Sequence, residues 1–365
     1  MSKDKLNETD QILVHTARSI LVIAMLFMVC SAILISVFLW NGQERKNQDL
    51  LVDQHLLTDQ QALQNKRDKI TVPVGINAAE QGWKAPDENT IPAGKAGEMI
   101  RYGKDLIVNT AKYFGPNGSI AAITNGMNCQ NCHLQAGTKI FANNYAVFFA
   151  SYPKKSNRSG QVIPASNRIA ECFERSLAGK VPDASGKEVQ AMLAYLKWVG
   201  SGVKKGEHVF GTAFERLKYM DRPADPLRGK ILYTSKCVSC HGEHGEGTLS
   251  ANRGTYTYPP LWGEHSYNDA AGMYRLTNFA GFVKNNMPFG VSFKEPQLSD
   301  EESWDLAAFV NSQPRKHKNQ EKDYPDLAKK PIDAPFGPYG DQFTAQQHKY
   351  GPYKPIADYY KSYKK

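Results

Sequence analysis

Twenty-one consecutive residues from Ile20 to Trp40, ILVIAMLFMVCSAILISVFLW, carry no charge and no Gly or Pro. About 20 apolar residues cross a bilayer as a helix, so the run predicts an uncleaved, single-pass transmembrane anchor at 20–40 behind a cytoplasmic N-terminus of residues 1–19. A cleavable signal has a shorter apolar core, roughly 7–15 residues, followed by an A-x-A-like site, and neither fits here. Lys3, Lys5 and Arg18 precede the run and Arg45 and Lys46 follow it, so flanking charge leaves its orientation open. Residues 41–82 turn polar, with leucines at 50, 51, 56, 57 and 63 that form only a loose helical stripe, and read as a stalk or linker.

Beyond the stalk the pattern states itself twice. In GKAGEMIRYGKDLIVNTAKYF, Ile100, Gly103, Ile107 and Phe114 fall at helical spacing before CQNCH; in DPLRGKILYTSKCVSCH, Gly229, Leu232 and Tyr233 precede the second such unit. Each half also closes on a helix. GKEVQAMLAYLKWVG ends the first, and LSDEESWDLAAFVNSQP ends the second, with a Ser299-x-x-Glu302 capping box and a stop before Pro314. This predicts a mainly α chain with a tandem duplication of a small helical domain, at 83–210 and 211–315. The remaining residues, 316–365, are rich in Lys, Pro and Tyr without periodicity and read as an extended tail held on the surface by aromatics.

At 365 residues the chain is long enough for two such domains, an anchor and a tail. The net charge of +9 favours acidic partners or anionic substrates, although a spread of lysines is ordinarily a solvated surface, and no nucleic-acid partner is expected. The six cysteines do not require a disulfide framework. Cys129 and Cys132 with His133, and Cys237 and Cys240 with His241, form two C-x-x-C-H units; Cys30 lies in the apolar run and Cys172 is left over. In C-x-x-C-H each thiol adds to a haem vinyl group and the histidine becomes the proximal iron ligand, so two covalently attached haem c groups are expected. A zinc knuckle or a redox C-x-x-C would leave the adjacent histidines and the duplicated helices unexplained. Because c-type attachment occurs outside the cytoplasm, the haem domains must follow the anchor outward.

Distal ligands come next. Met287, in FVKNNMPFG, lies 46 residues after His241 and just before the closing helix, the context a thioether ligand needs; core packing is its alternative, with His244 and His265 as fallback ligands. The first half has no Met-Pro. Cys172, in NRIAECFERS, lies 39 residues after His133, and nearby positive charge favours a thiolate there, so it is the leading ligand. A lone cysteine is otherwise most often an inert core residue, and Met192 is a second candidate in the closing helix. Arg158, Arg168 and Arg175 surround Cys172 in sequence. Arg168 is four residues before it, on the same face of a helix, and guanidinium forks grip oxyanions with paired hydrogen bonds. A thiolate among arginines describes a site for a small sulfur oxyanion.

These residues resemble the dihaem c-type cytochrome thiosulfate dehydrogenases, which join two thiosulfate ions into tetrathionate. WKAPDENTIP, EMIRYGKDLI, NCQNCH, NRIAECFERS, YPPLWGEHSYNDAAGM and MPFG match the family's signatures in order, over about residues 83–315. The resemblance implies two class I cytochrome c folds. It implies that His133 and Cys172 ligate the catalytic haem, that Arg158, Arg168 and Ser176 line the substrate pocket, and that His241 and Met287 hold the electron-exit haem. Some relatives have a lysine directly before the methionine; here Asn286 stands there and Lys284 is two residues further back. The implied acceptor is a small c-type cytochrome or a terminal oxidase. The anchor and stalk are not a general feature of the family's soluble members; with the haem domains outward they predict tethering to the bacterial inner membrane, facing the periplasm. Three rival readings remain: a non-enzymatic dihaem carrier, which needs neither Cys172 nor its arginines; a cytochrome that conjugates thiosulfate to a carrier cysteine; and the same enzyme run as a tetrathionate reductase.

Overall fold

The computed structural model describes Leu21, Ile23, residues 25–32 and Ser36, and then residues 83–251 and 254–362. The expected anchor at 20–40 lies partly outside the described residues, and the N-terminus 1–19 and stalk 41–82 lie wholly outside them. Within the anchor run the described residues are helical, yet among the described residues no helix is long and apolar enough to cross a membrane.

The repeated sequence pattern becomes a repeated helix pairing. Helix α1 (Gly94–Val108) buries Gly97, Ile100, Gly103, Leu106 and Ile107 on one stripe, and a short helix, Thr110–Phe114, carries the chain on to the first cysteines. After the cysteines come α2 (Ala165–Arg175) and the closing helix α3 (Lys187–Val199), which packs on α1. In the second half α4 (Pro226–Lys236) starts on Asp225, whose carboxylate accepts from the Leu227 amide, with Pro226 at the first helical position. Helix α5 (Leu276–Asn286) takes the place of α2. Helix α6 (Asp300–Ser312) closes the half and opens on the expected capping box between Ser299 and Glu302.

Both pairs cross at a glycine. A Cβ on Gly103 would lie 1.9 Å from the Ala191 carbonyl oxygen of α3, and one on Gly229 would lie 1.9 Å from the Asp305 carbonyl oxygen of α6. Only the missing side chain lets the backbones approach so closely. Around the first crossing Leu106, Phe114, Phe173, Val189, Met192 and Tyr195 form one core; around the second, Tyr233, Trp262, Leu276, Trp304 and Leu306 form another. Short antiparallel ribbons, β1 (Lys154–Lys155) with β2 (Val162–Ile163) and β3 (Thr248–Leu249) with β4 (Tyr256–Tyr258), tie down the intervening loops.

The C-terminal segment corrects the expectation of an extended tail. It holds helices α7 (Ala345–Tyr350) and α8 (Lys354–Ser362), with the Thr344 side chain accepting from the Gln347 amide to start α7. Tyr353 and Ile356, 3% and 0% exposed, belong to the second core. Helices this short are marginal alone and form here because tertiary burial supports them, which is why no period marks them in the sequence. His348 locks the segment: its ring stacks on Tyr339 at 3.8 Å, with Nδ1 2.8 Å from the Ile332 carbonyl and Nε2 3.0 Å from Asp341.

Because the crossings leave no room for a methyl group, Gly103→Ala and Gly229→Ala should each destabilise the protein by about 1–3 kcal/mol, the usual cost of overpacking. Gly202→Ala, at a position with nothing within 4 Å of the added carbon, should leave the melting temperature essentially unchanged in the same thermal unfolding experiment. Equal melting temperatures for all three variants would refute the close-crossing account.

Candidate active site and cofactor-binding turns

The first C-x-x-C-H turn is fixed from several sides. Asn128 and Asn131 form a reciprocal capping box around Cys129, and the Asn128 side-chain oxygen accepts from the Ala111 amide at 2.8 Å. The Thr110 hydroxyl accepts from the Cys129 amide at 3.0 Å, so the turn hangs from the end of the short helix that follows α1. His133 Nδ1 lies 2.7 Å from the Asn143 carbonyl, which can only accept; Nδ1 therefore carries the proton and Nε2 keeps its lone pair. Tyr145 stacks on this ring at 4.6 Å, and a Cβ on Gly137 would fall 2.0 Å from the Tyr145 ring.

In the second half Cys237 ends α4 and the short helix Val238–His241 carries Cys240 and His241. His241 Nδ1 lies 2.8 Å from the Pro259 carbonyl, the same arrangement as at His133. Burial pushes Cys129 up to about 11 and Cys132 and Cys237 up to about 12, and pulls His133 down to about 4 and His241 below its ordinary value. Each turn thus presents two thiols and a neutral imidazole whose free nitrogen is Nε2. That donor set fits haem c.

Cys172 lies on α2, half-buried, with its carbonyl accepting from the Ser176 and Leu177 amides at 2.9 and 3.0 Å. The Cys172 sulfur is among the lesser influences that raise Cys129 and Cys132, behind burial, so the lone cysteine lies in the neighbourhood of the first turn. Arg168 stands one helical turn before it. The Cys172 sulfur is the chief influence holding the Arg168 guanidinium above its ordinary value, with Glu171 adding to it against burial. Arg168 Nη1 donates to Glu171 at 2.7 Å. Ser176 is the residue that ends α2.

The other arginines meet a carboxylate from far along the chain. Arg175 donates to Asp323 through Nη1 and Nη2 at 2.8 and 3.0 Å, while Arg158 Nη1 donates to Asp323 at 3.2 Å and to the Ala270 carbonyl at 3.0 Å. Burial holds Arg158 below its ordinary value, with Arg175 and Arg168 acting in the same direction, so the three guanidinium groups share one neighbourhood. Asp323 gave no signal in the sequence, since its partners lie 148 and 165 residues away. Tyr152 and Lys154 were missed as well. Lys154 sits 4.8 Å from the centre of the Tyr152 ring, and both residues feel the Arg168 charge.

In the second half Met287 is the residue on which α5 ends. It is half-buried and packs against the same core as Cys237. The fallback histidines His244 and His265 are both exposed. Met192 is 2% exposed in α3 beside the Gly103 crossing, a core position. Lys284 is held by Glu215 at 3.1 Å and Asp300 at 2.8 Å, and Asn286 donates to the Phe141 and Phe282 carbonyls.

Comparison with known proteins agrees with this organisation. Residues 120–204 match the SoxA/TsdA cytochrome c domain and residues 227–314 match cytochrome c. A thiosulfate dehydrogenase from Stutzerimonas stutzeri is 34% identical over 249 residues, covering 68% of this chain and 77% of the relative. One from Allochromatium vinosum is 38% identical over 63% of this chain and 83% of its own. The solved thiosulfate dehydrogenase (TsdBA) of Marichromatium purpuratum superposes with a TM-score of 0.58 at 32% identity; the match covers 63% of this chain and 49% of that one, so this chain spans about half of the solved protein. With two cytochrome c domains and relatives of this identity matched over most of their length, the chain belongs to the thiosulfate dehydrogenase family.

Proposed function

We propose that this chain oxidises two thiosulfate ions to tetrathionate beside Cys172 and delivers the electrons through its second domain to an external acceptor, a small c-type cytochrome or a terminal oxidase. The observation that supports the reading is that Cys172 and Arg168 stand one helical turn apart on α2, with the Cys172 sulfur close enough to influence both Arg168 and the first cysteine pair. The reaction forms one sulfur–sulfur bond between two dianions and releases two electrons, with no proton taken up or lost. Haem c, when bound at the two C-x-x-C-H turns, supplies the one-electron redox chemistry.

The protein's part is to gather anions and hold them in order. Among the described residues the Arg158 and Arg168 side chains make their hydrogen bonds through Nη1, to Asp323 and Ala270 in one case and to Glu171 in the other. Each guanidinium is thereby anchored on one side, leaving Nε and Nη2 to grip an oxyanion. Ser176, at the end of α2, adds a hydroxyl to that pocket. Cys172 would hold the first haem together with His133 and present a sulfur beside the bound anions, and Met287 would hold the second haem together with His241.

Cys172→Gly should keep both haems and the fold, change only the first haem's spectrum, and abolish tetrathionate formation in a steady-state assay with ferricyanide. Near-normal activity in that variant would return the chain to the plain electron carriers. Arg168→Ala should raise the thiosulfate KM by about tenfold, the worth of one charge-assisted contact, with a smaller effect on kcat.

We assign one covalent haem c to each turn, so the mature protein should show a mass increase of two haems, and Cys129→Ser with Cys132→Ser should remove one. A wild-type protein carrying a single haem would end the tandem assignment.

The uncharged run at 20–40 belongs to the same proposal as an anchor that holds the haem domains at the periplasmic face of the inner membrane. The full chain should then stay with membranes through a high-salt wash while a chain beginning near Lys69 is released. Recovery of the full chain in the soluble periplasmic fraction would argue for cleavage instead.

A further inference from the structure

The segment that follows α6 crosses from the second domain onto the first and then returns. On the first domain Lys318 Nζ meets Glu174 at 2.8 Å, Asp323 takes the fork of Arg175 and a single bond from Arg158 Nη1, and the Tyr324 amide donates to the Arg158 carbonyl at 2.7 Å. Ten residues later Asp333, with its side chain wholly buried, accepts from Arg275 Nε at 2.7 Å, from the Thr277 amide at 3.0 Å and from the Thr277 hydroxyl at 2.6 Å. Burial pushes the Asp333 carboxyl up, and Arg275 with the Thr277 donors outweigh it, so the acid stays ionised.

These two carboxylates sit at the ends of two particular helices. Arg175 is the last residue of α2, one turn beyond Cys172. Thr277 is in the first turn of α5, whose own N-cap residue, Arg275, makes no side-chain cap, so Asp333 supplies from outside the acceptor that the helix start lacks. Helix α5 is eleven residues long, about 16 Å at the usual rise, and stiff over that length; Met287 is the residue at its far end. Fixing the start of such a rod fixes where its other end points. At α2 the contact is a buried double fork, whose loss would leave Arg175 charged and unpaired.

We propose that Asp323 and Asp333 are positioning residues, each serving one haem: Asp323 sets the Arg158 and Cys172 side of the first, and Asp333 sets the reach of Met287 toward the second. This rests on the reading of Cys172 and Met287 as distal ligands. Its distinctive consequence is that the two effects are separable, although both acids lie on one short segment.

The test uses the full-length holoprotein with Asp323→Asn, Asp323→Glu, Asp333→Asn and Thr277→Val, compared with Met287→Ala. Asp323→Asn should raise the thiosulfate KM roughly three- to tenfold with kcat nearly retained, because the amide can no longer hold both guanidinium groups. Asp323→Glu should stay closer to the parent, and the second haem should be unchanged in both. Asp333→Asn should lower the second haem's reduction potential and weaken its thioether-to-iron absorption, in the direction of Met287→Ala, with the KM unchanged. Thr277→Val, which removes the hydroxyl that donates to Asp333 and accepts from Arg216 and Arg275 while nearly keeping the volume, should do the same to a smaller degree and keeps the test open should Asp333→Asn fold poorly.

If Met287→Ala alters the second haem while Asp333→Asn and Thr277→Val do not, the positioning role is wrong and the ligand reading stands. An unchanged KM in Asp323→Asn would likewise overturn the role assigned to Asp323. Lowered melting temperatures without these separate signatures would make the contacts merely structural and overturn the proposal. If Met287→Ala leaves the second haem unaltered, the ligand reading and this inference fall together.

Discussion

Backbone contact between the first and last helix of each half is the constraint on which the rest of the molecule depends. At Gly103 against Ala191 and at Gly229 against Asp305 the helices touch main chain to main chain, closer than any side chain permits. Each half is thereby closed at its ends, and everything between, including the C-x-x-C-H turn, the middle helix and the loops, must wrap around one side of that junction. The histidine of each turn then needs a carbonyl on the wrapping loop, supplied by Asn143 in one half and Pro259 in the other. Loop geometry and imidazole tautomer are consequences of the same closure.

Between the halves the packing is continuous. Cys132 and Leu134 of the first turn lie against the second core, which also receives Cys237, Val238 and Met287. The seam is stitched by asparagines, whose amides both donate and accept: Asn125 to the Ser266 carbonyl, Asn128 to the Thr255 hydroxyl, and Asn268 to the Glu174 carbonyl. Phe141, Phe210 and Phe293 meet edge to face at another point, joining the first domain to the second. Both C-x-x-C-H turns therefore touch one apolar cluster, that of the second domain.

Much of this was legible in the sequence because its causes are local. The stripe of α1, the capping box of α6, the two C-x-x-C-H turns and the position of Cys172 on a helix with Arg168 all follow from residues within a few positions of one another. The helices at the C-terminus were not, since Ile356 of α8 and Tyr353 just ahead of it are held only by a core built from residues far upstream. The same holds for Arg158 and Arg175. Their sequence neighbourhood shows basic residues around a cysteine, and nothing there indicates that a single aspartate would occupy one side of both.

The contact between Asp323 and Arg158 also has a meaning in time. A chain made from its N-terminus presents the whole first domain before residue 323 exists, and the closing contact spans 165 residues. Local helices and turns form long before so distant a pairing, and the entropy of closing such a loop is repaid only once the second domain stands between its ends. The helices and turn of the first domain can therefore form while Arg158 and Arg175 still lack Asp323, although Arg168 already has Glu171 three residues away. That corner of the molecule is completed last, after the second domain has folded, so the full arginine cluster is a property of the finished chain and not of its first half.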